Sequence, residues 1–377
     1  MLKTPTPHPA RDTREPLNYP WFTAIHLDTH PTNTELFLHM MRFQTRVRDA
    51  LPLEFHTFDH LLALEQSRDQ AKKHVTELKH FFLSGINLAR YVEQQKYTHA
   101  SGLTILEALD CFDDFIRTYK FLEGLYLHLD DLRQKRHDEL SMVDAGCGPL
   151  PLYALMAAFK DPNIRVTCLE INPVAVAMAR DMVQKFGFQD RIEVLHTDAT
   201  KYQHTQPIDL LISETMNVGL TGGEHLAQIF RNLAPQVRED GALIPEAVTI
   251  DFDMKPYEDV VNSKRFHTKL PLKSFDQKVP TVKVVDTRHP PTHIEHYVPL
   301  HNKAPGKYAL LLGSRVVLHE PSRLVLETNE STITTPIALN HPMTIPDYDF
   351  APSGFTLSYK PGDLSTQIQR RLSFSGG

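Results

Sequence analysis

The chain has 377 residues, of which 41% are hydrophobic and 23% are charged, a composition typical of a soluble globular protein with about two or three domains. The formal net charge of -6 argues against a general nucleic-acid binder, which needs a basic face, and suits a cationic substrate. Three sparse cysteines (Cys111, Cys147 and Cys168) argue against a disulfide framework and a zinc site, so the reducing cytoplasm is the expected compartment.

The first 20 residues are rich in proline and polar side chains, which predicts an extended arm and no signal peptide. No run of 18 apolar residues occurs, so we expect no membrane span. The pairs His26/His30 and His56/His60 have the spacing of two metal ligands on one helix face. Neither pair has the glutamate or cysteine that a known metal motif adds, so we expect no metal site.

From residue 30 to residue 137 the sequence is predicted to be helical, because glycine is nearly absent and apolar residues recur at helical spacing. Two apolar faces are predicted, one with Val75, Leu78 and Phe82, and one with Phe112, Phe115, Ile116, Tyr119 and Leu122. We interpret both faces as core packing. The last helix leads directly into the next segment, so one or two of these helices could also cover a ligand pocket.

A buried strand that ends in a tight glycine turn is predicted at residues 141–148, Ser-Met-Val-Asp-Ala-Gly-Cys-Gly. Gly146 and Gly148 let the backbone turn sharply and allow a ligand to approach without a Cβ in the way. Asp144 would lie at the carboxyl end of this strand, where open α/β sheets bind their ligands.

Strands and helices then alternate up to residue 245, which predicts a parallel sheet with helices on both faces. Four further strands are predicted at Val166–Ile171, Ile192–His196, Ile208–Ile212 and Ala242–Ile244, and a helix is predicted at Glu224–Leu233. This pattern indicates a Rossmann-like α/β domain.

From Pro245 onward the pattern predicts β structure, arranged as a barrel or a sandwich. The short apolar runs are Tyr308–Leu312, Val316–Leu318, Leu324–Leu326 and Phe355–Leu357. We therefore expect three regions: an N-terminal arm and helical region at 1–137, a Rossmann-like nucleotide-binding domain at 138–245, and a β-rich substrate domain at 246–377.

Acidic residues follow the predicted strands in a regular manner. Glu170 comes 26 residues after Asp144, where a carboxylate can accept hydrogen bonds from two ribose hydroxyls. Asp198 follows the third strand, where a carboxylate can meet an adenine amino group, and Glu214 follows the fourth. The predicted cofactor-binding residues are Asp144, Gly146, Cys147, Gly148, Glu170, Ile171, Asp198 and Ala199.

The Gly-Cys-Gly turn with acids after strands two and three resembles the class I S-adenosylmethionine-dependent methyltransferases, which implies S-adenosyl-L-methionine as the cofactor. A dinucleotide-binding fold shares the glycine turn and the first acid. Here, however, Gly148 is followed by Pro-Leu-Pro, and no third glycine or alanine stands at the fingerprint position.

The segments Ser213-Glu214-Thr-Met-Asn, Glu224-His, Leu233-Ala-Pro and Gly241-Ala-Leu-Ile-Pro-Glu resemble the protein arginine methyltransferase family. In that family two glutamates on a hairpin loop clamp the substrate guanidinium, which implies that Glu214 and Glu224 are catalytic. The resemblance also implies a β-barrel and a possible homodimer. Arg117, on the helix before the glycine turn, is a candidate to bind the carboxylate of the cofactor. The simpler expectation is that Arg117 lies on the surface.

Three departures from the family leave the acceptor open among free arginine, a small guanidino compound and peptidyl arginine. Glu224 follows Glu214 by ten residues where the family has nine. The family's Thr-His-Trp loop is not visible, since Trp21 is the only tryptophan. The N-terminal helical region is longer than the family's short lead-in.

Alternative functions remain on the sequence alone. The segment Gly148-Pro-Leu-Pro-Leu behind a long helical region also resembles nicotianamine synthases, which transfer an aminocarboxypropyl group from the same cofactor. An O- or N-methyltransferase of another small metabolite and a non-catalytic cofactor-binding partner subunit are further alternatives. A nucleic-acid amino-methyltransferase is disfavoured, because Ser213-Glu214-Thr-Met stands where its Asp/Asn-Pro-Pro-aromatic motif would be.

Overall fold

The structure is a computed structural model of the chain. It describes residues 69, 72–73, 75–98, 102–220, 226–259, 282–299, 305–328, 330–338, 343–345, 352–361 and 369–374. Residues 1–68, with the predicted arm and both histidine pairs, lie outside the described residues. None of the described helices is long and apolar enough to cross a membrane.

The helical prediction is confirmed for the described part of the N-terminal region. Residues 75–83 are helical and bury Val75, Leu78 and Phe82 as expected. Three further helices follow: α1 at Leu88–Lys96, α2 at Ile105–Phe112 and α3 at Phe115–Lys135. Thr104 begins α2 with a capping box, in which its side chain accepts from the Glu107 N–H while the Glu107 carboxylate accepts from the Thr104 N–H.

The second predicted apolar face is divided between two helices. Phe112 ends α2 and Phe115 begins α3, with Asp113 and Asp114 at the junction. The apolar spacing is periodic across the break, so periodicity alone could not reveal it. Tyr119 and Leu122 are buried on α3 as predicted.

A five-stranded parallel sheet in the order β3-β2-β1-β4-β5 confirms the Rossmann-like prediction. Its strands are β1 at Leu140–Ala145, β2 at Ile164–Glu170, β3 at Ile192–His196, β4 at Ile208–Ile212 and β5 at Val237–Ile244. Helices α4 at Leu152–Lys160, α5 at Pro173–Lys185 and α6 at Leu226–Leu233 lie between them. Strand β5 begins at Val237, five residues before the predicted Ala242. The added residues are mostly exposed and polar, so the apolar pattern did not reveal them, and the pairing with β4 shifts register there.

The strand register places the predicted acids at one edge of the sheet. Asp144 pairs with Cys168 on one side and with Ile212 on the other, and Glu170 pairs with His196. The residues that follow β1, β2 and β4 therefore emerge together at the carboxyl edge.

The described C-terminal residues form two antiparallel sheets, which confirms the β prediction. The first has the order β10-β9-β6-β7, with β11 and β12 also paired to β9, and the second has the order β14-β13-β8. The strands are β6 at Ala247–Pro256, β7 at Val282–Asp286, β8 at Ile294–Pro299, β9 at Gly306–His319, β10 at Leu324–Leu326, β11 at Ile337–Ala338, β12 at Met343–Ile345, β13 at Pro352–Tyr359 and β14 at Gln369–Phe374. The two predicted strands at Tyr308–Leu312 and Val316–Leu318 are one long strand, β9, because Gly313 continues the pairing with β6. Closure into a barrel or a sandwich stays a prediction, as do the three region boundaries.

Helix α3 joins the two kinds of sheet. It packs against β4, β5 and α4 on one side and against β9 and β10 on the other. A Cβ added at Gly124 in its middle would lie 3.2 Å from the Leu318 Cβ, so the glycine permits a close approach to β9. This helix therefore carries its first turn to the carboxyl edge of the parallel sheet while its second half contacts the antiparallel sheet.

Candidate functional site

The glycine turn after β1 has the conformation that its sequence predicts. Gly146 has φ +81° and donates its N–H to the Leu169 carbonyl over 2.8 Å. A Cβ at this position would lie 2.4 Å from Thr215 Cγ2, so only glycine lets the loops after β1 and β4 approach. Gly148 has φ +66°, and a Cβ there would meet no atom within 4 Å, which leaves open space beside its backbone. Cys147 between them is buried.

Glu170 is tied to the glycine turn by its carboxylate. Oε2 accepts the Gly148 N–H over 2.9 Å and Oε1 accepts the Asn172 N–H over 2.8 Å. Burial raises the pKa of Glu170, and these backbone N–H groups act in the opposite direction. Ile171 beside it exposes 36% of its surface, an apolar contact that a nucleoside could cover.

The loop before α2 contacts the same edge. The Asn172 side chain, which caps α5, donates from Nδ2 to the Leu103 carbonyl over 2.8 Å and to Gln95 Oε1 over 3.1 Å. A Cβ on Gly102 would come within 3.2 Å of Ile171 Cγ2. The N-terminal helices thus reach the predicted cofactor site, as the order of segments suggested.

Asp198 uses its carboxylate largely within its own turn. Oδ1 accepts the Thr200 N–H over 2.9 Å and the Thr200 hydroxyl over 2.6 Å, and Oδ2 pairs with Lys201 over 2.9 Å. Burial raises the pKa of Asp198, but these bonds outweigh it and the pKa is lowered. Since Lys201 is exposed, the pair at Oδ2 is weak and leaves that oxygen accessible. Ala199 is buried next to it.

Asp144 is buried at the centre of this edge, with 2% of its surface exposed and no hydrogen-bond partner for Oδ2. Its pKa is raised to about 7, chiefly by burial, while the Ala154 N–H acts to lower the pKa and the negative charges of Glu214 and Glu170 add to the increase. Asp144 near the end of β1, Glu170 at the end of β2 and Glu214 after β4 therefore lie close enough for their charges to act on one another.

Glu214 has a partner on each carboxylate oxygen. Arg117 Nε lies 2.5 Å from Oε1, and the Tyr153 hydroxyl donates to Oε2. The side chain is largely buried, with 19% exposed. Burial raises the pKa of Glu214, while the Arg117 charge and the Tyr153 bond lower it. The preceding residue, Ser213, anchors the loop by donating to the Ala145 carbonyl over 2.7 Å.

Arg117 is buried, with 4% of its surface exposed, which corrects the expectation of a surface position. Its contact with Glu214 is an ion pair without an aligned Nε hydrogen bond. The guanidinium also donates to the Cys111 carbonyl over 2.7 Å and to Thr332 Oγ1 over 3.4 Å. The sequence indicated this position only weakly, because a single arginine on an otherwise apolar helix face does not indicate which group it contacts.

Asp114 brings the C-terminal region into the site. Its Oδ2 accepts from Ser331 Oγ over 2.6 Å, from the Thr332 N–H over 2.7 Å and from Thr332 Oγ1 over 2.8 Å. The same carboxylate lies 3.9 Å from Arg117 Nε. Sequence reasoning missed both Asp114 and the turn at residues 331–335, whose serine and threonine residues have no strand periodicity and match no motif.

Glu224 lies outside the described residues, which omit 221–225, so its pairing with Glu214 stays a prediction. Among the side chains that the structure describes, no group of three or more histidine, cysteine, aspartate or glutamate residues could hold a metal ion.

Comparisons with known proteins identify the domain that these residues form. Residues 142–241 match a family model described as a methyltransferase domain. A tRNA1(Val) (adenine(37)-N6)-methyltransferase of Actinobacillus pleuropneumoniae serotype 7 is 31% identical over 83 residues, which cover 22% of this chain and 34% of that protein. An arginine N(omega)-methyltransferase of Streptomyces achromogenes subsp. streptozoticus is 26% identical over 132 residues, which cover 34% and 36%.

Among solved structures, the chain is similar to the PRMT1 enzyme-prozyme heterotetrameric complex with AdoHcy of Trypanosoma brucei, at a TM-score of 0.45 and 15% identity over 70% of this chain and 96% of that one. The chain spans about a third of the length of the curated relatives it matches. The methyltransferase-domain match confirms the resemblance to class I S-adenosylmethionine-dependent methyltransferases, and one of the matched relatives is an arginine methyltransferase. S-adenosylmethionine is the cofactor of such a domain.

Proposed function

We propose that this chain is an S-adenosylmethionine-dependent N-methyltransferase that acts on a guanidino group, held by Glu214 together with Glu224. The observation that carries the proposal is the position of Glu214, a largely buried carboxylate at the carboxyl edge of the sheet, with Asp114 and Asp144 nearby, because such a group favours a cation. The arginine N(omega)-methyltransferase relative supports the same substrate class. Free arginine, a small guanidino compound and peptidyl arginine are the candidate acceptors.

The buried charges near Glu214 favour a cationic acceptor. Asp114 and Glu214 carry two negative charges, and Arg117 supplies one positive charge between them. Asp144 adds a further partial negative charge at neutral pH, since its pKa is about 7. A buried net negative charge is costly unless a cation compensates it. A guanidinium keeps its proton at neutral pH and can offer two parallel N–H donors to a carboxylate.

The residues at the sheet edge fit the cofactor. Glu170 would accept hydrogen bonds from the ribose hydroxyls. The open space beside Gly148 would admit the cofactor, which a Cβ at this position would crowd. Ile171 and Ala199 would pack on the adenine, with the accessible oxygen of Asp198 near its amino group. When bound, S-adenosylmethionine supplies a methyl group that is already activated by the sulfonium.

The contribution of the protein to catalysis is then mostly positioning. A guanidinium nitrogen is a poor nucleophile because its electrons are delocalised. A carboxylate bonded to the N–H groups on the far side favours positive charge there and leaves electron density on the attacking nitrogen. As the attacking nitrogen gains the methyl group its proton passes to solvent, while Glu214 stays bonded to the N–H groups on the far side.

The proposed domain roles follow from the same contacts. Residues 138–245 would bind the cofactor, and residues 246–377 would form the barrel-like substrate side, joined to the site through Thr332 and Asp114. The resemblance to arginine methyltransferases supports a homodimer, and the three sparse cysteines support a cytoplasmic location, as further proposals.

Nucleic acid is a second acceptor class, favoured by the identity to tRNA adenine methyltransferases. The net charge of -6 and the Glu214 segment argue against it. Aminocarboxypropyl transfer is a second reaction class. Its product would be methylthioadenosine, whereas methyl transfer leaves S-adenosylhomocysteine.

The test is mass spectrometry of the products after incubation of the full chain with labelled S-adenosylmethionine and free arginine, an arginine-rich peptide, a small guanidino compound or tRNA. We expect a methylated guanidino product and S-adenosylhomocysteine. Glu214→Gln should lower turnover by roughly 100-fold or more with little change in cofactor affinity. Glu139→Gln, at a surface ion pair, is the matched control and should be neutral. Near-normal turnover of Glu214→Gln would refute the clamp.

A further inference from the structure

Two adjacent residues in the first turn of α4 reach the two central carboxylates. The Tyr153 hydroxyl donates to Glu214 Oε2, and the backbone N–H of Ala154 donates to Asp144. Tyr153 is buried, and its ring lies 6.0 Å from the Phe121 ring on α3. Helix α4, which follows the glycine turn, therefore also contacts the Glu214 carboxylate that is proposed to hold the methyl acceptor.

We infer that Tyr153 is a positioning residue of the acceptor site, which fixes the orientation of the Glu214 carboxylate toward the guanidino group. The inference rests on the proposed function, in which Glu214 holds the acceptor. Neither the sequence pattern nor the domain match assigns a role to this tyrosine.

The first argument is geometric. The bond from Tyr153 restrains Oε2, while the Arg117 contact at Oε1 is close but not aligned as a hydrogen bond. The tyrosine therefore supplies the directional restraint on the carboxylate plane. A carboxylate has about four acceptor positions, so the two oxygens retain capacity for two guanidinium N–H groups in a defined plane.

The second argument concerns protonation. The groups that act on Glu214 are Arg117 from α3, Asp114 just before α3, Tyr153 from α4 and Asp144 from β1. Burial and the nearby carboxylate raise the pKa of the Tyr153 hydroxyl well above its usual value, so it stays a donor. Its bond lowers the pKa of Glu214 and so favours the ionised form that binds a cation.

The test compares Tyr153→Phe with Tyr126→Phe, which removes a buried hydroxyl that has no hydrogen-bond partner, on the neighbouring helix α3. We expect Tyr153→Phe to lower kcat for the guanidino acceptor by roughly tenfold, the loss of one hydrogen bond to a charged group. The acidic limb of its pH profile should move to higher pH, with unchanged cofactor affinity by calorimetry. Tyr126→Phe should change neither quantity. Equal kcat and equal pH profiles in the two variants would overturn the inference.

A second measurement separates this inference from the proposed function. Carbon-13 NMR of protein labelled at glutamate side-chain carboxyls reports the titration of Glu214 without turnover, with Glu214→Gln identifying the signal. We expect the Glu214 titration to move to higher pH in Tyr153→Phe and to stay in place in Tyr126→Phe. A shift without any methylated guanidino product would refute the proposed function alone. An unchanged titration would refute the role of Tyr153, whatever the substrate.

Discussion

Arg117 on α3 and Glu214 after β4 form a buried ion pair, with Nε 2.5 Å from Oε1. The pair connects the N-terminal helical region to the carboxyl edge of the parallel sheet. Through Asp114 and Thr332, the same arginine is also connected to the C-terminal region. All three parts of the chain therefore meet around the Arg117 guanidinium.

Arg117→Met should destabilise the protein strongly, because it leaves the negative charges of Glu214 and Asp114 buried without a cation. We expect the free energy of unfolding to fall by about 3–5 kcal/mol, as is usual when one partner of a buried ion pair is removed. Urea denaturation measures the loss. Arg165→Met, which breaks the exposed pair with Glu139, is the control and should cost less than about 1 kcal/mol. Equal losses in the two variants would contradict the buried pair.

The two glycines of the turn should respond differently to alanine. Both have positive φ, so each substitution carries backbone strain of about 1–2 kcal/mol. Gly146→Ala adds a clash with Thr215 Cγ2 and should lower stability more than Gly148→Ala. Adding Thr215→Ser to Gly146→Ala removes that methyl group and should restore part of the loss. Thermal unfolding of the three variants tests the order, and no recovery in the double variant would count against it.

Asp144 should make the cofactor-free protein less stable as the pH rises. Its pKa of about 7 in the folded chain exceeds the unfolded value of 3.8, so the folded state holds the proton more tightly. The contribution is complete below about pH 4 and is lost as the pH rises through 7, on the order of 4 kcal/mol for a fully buried group. Asp144→Asn should flatten this slope in denaturation curves between pH 4 and pH 8. A parallel slope in the variant would show that another group is responsible.

His128 should have the opposite effect. Burial, with a smaller contribution from the neighbouring His319, lowers the pKa of His128 to about 4. A folded pKa below the unfolded value of 6.5 means that stability is complete above pH 6.5 and is lost as the pH falls through 4, on the order of 3 kcal/mol. His128→Gln, which keeps a donor for the Leu318 carbonyl, should reduce this acid sensitivity. His289→Gln, at an exposed position, should leave it unchanged.

Much of the site follows from local sequence. Gly146 and Gly148 adopt positive φ because their turn requires it, and Asp144, Glu170 and Glu214 converge because parallel strands end at a common edge. These residues were predictable, since each is defined by its position relative to its own strand.

The remaining contacts were not predictable from local pattern. Arg117, Tyr153 and Asp114 lie on or beside helices whose apolar periodicity indicates packing but not what a polar residue will meet. Their partners, Glu214 and the turn at Thr332, come from distant parts of the chain.

The sequence by itself determined the parallel sheet, the glycine turn and the three acids, because strand period and turn chemistry act over a few residues. Only the tertiary structure decided which groups hold Glu214, because that depends on how α3 and α4 pack over the sheet edge.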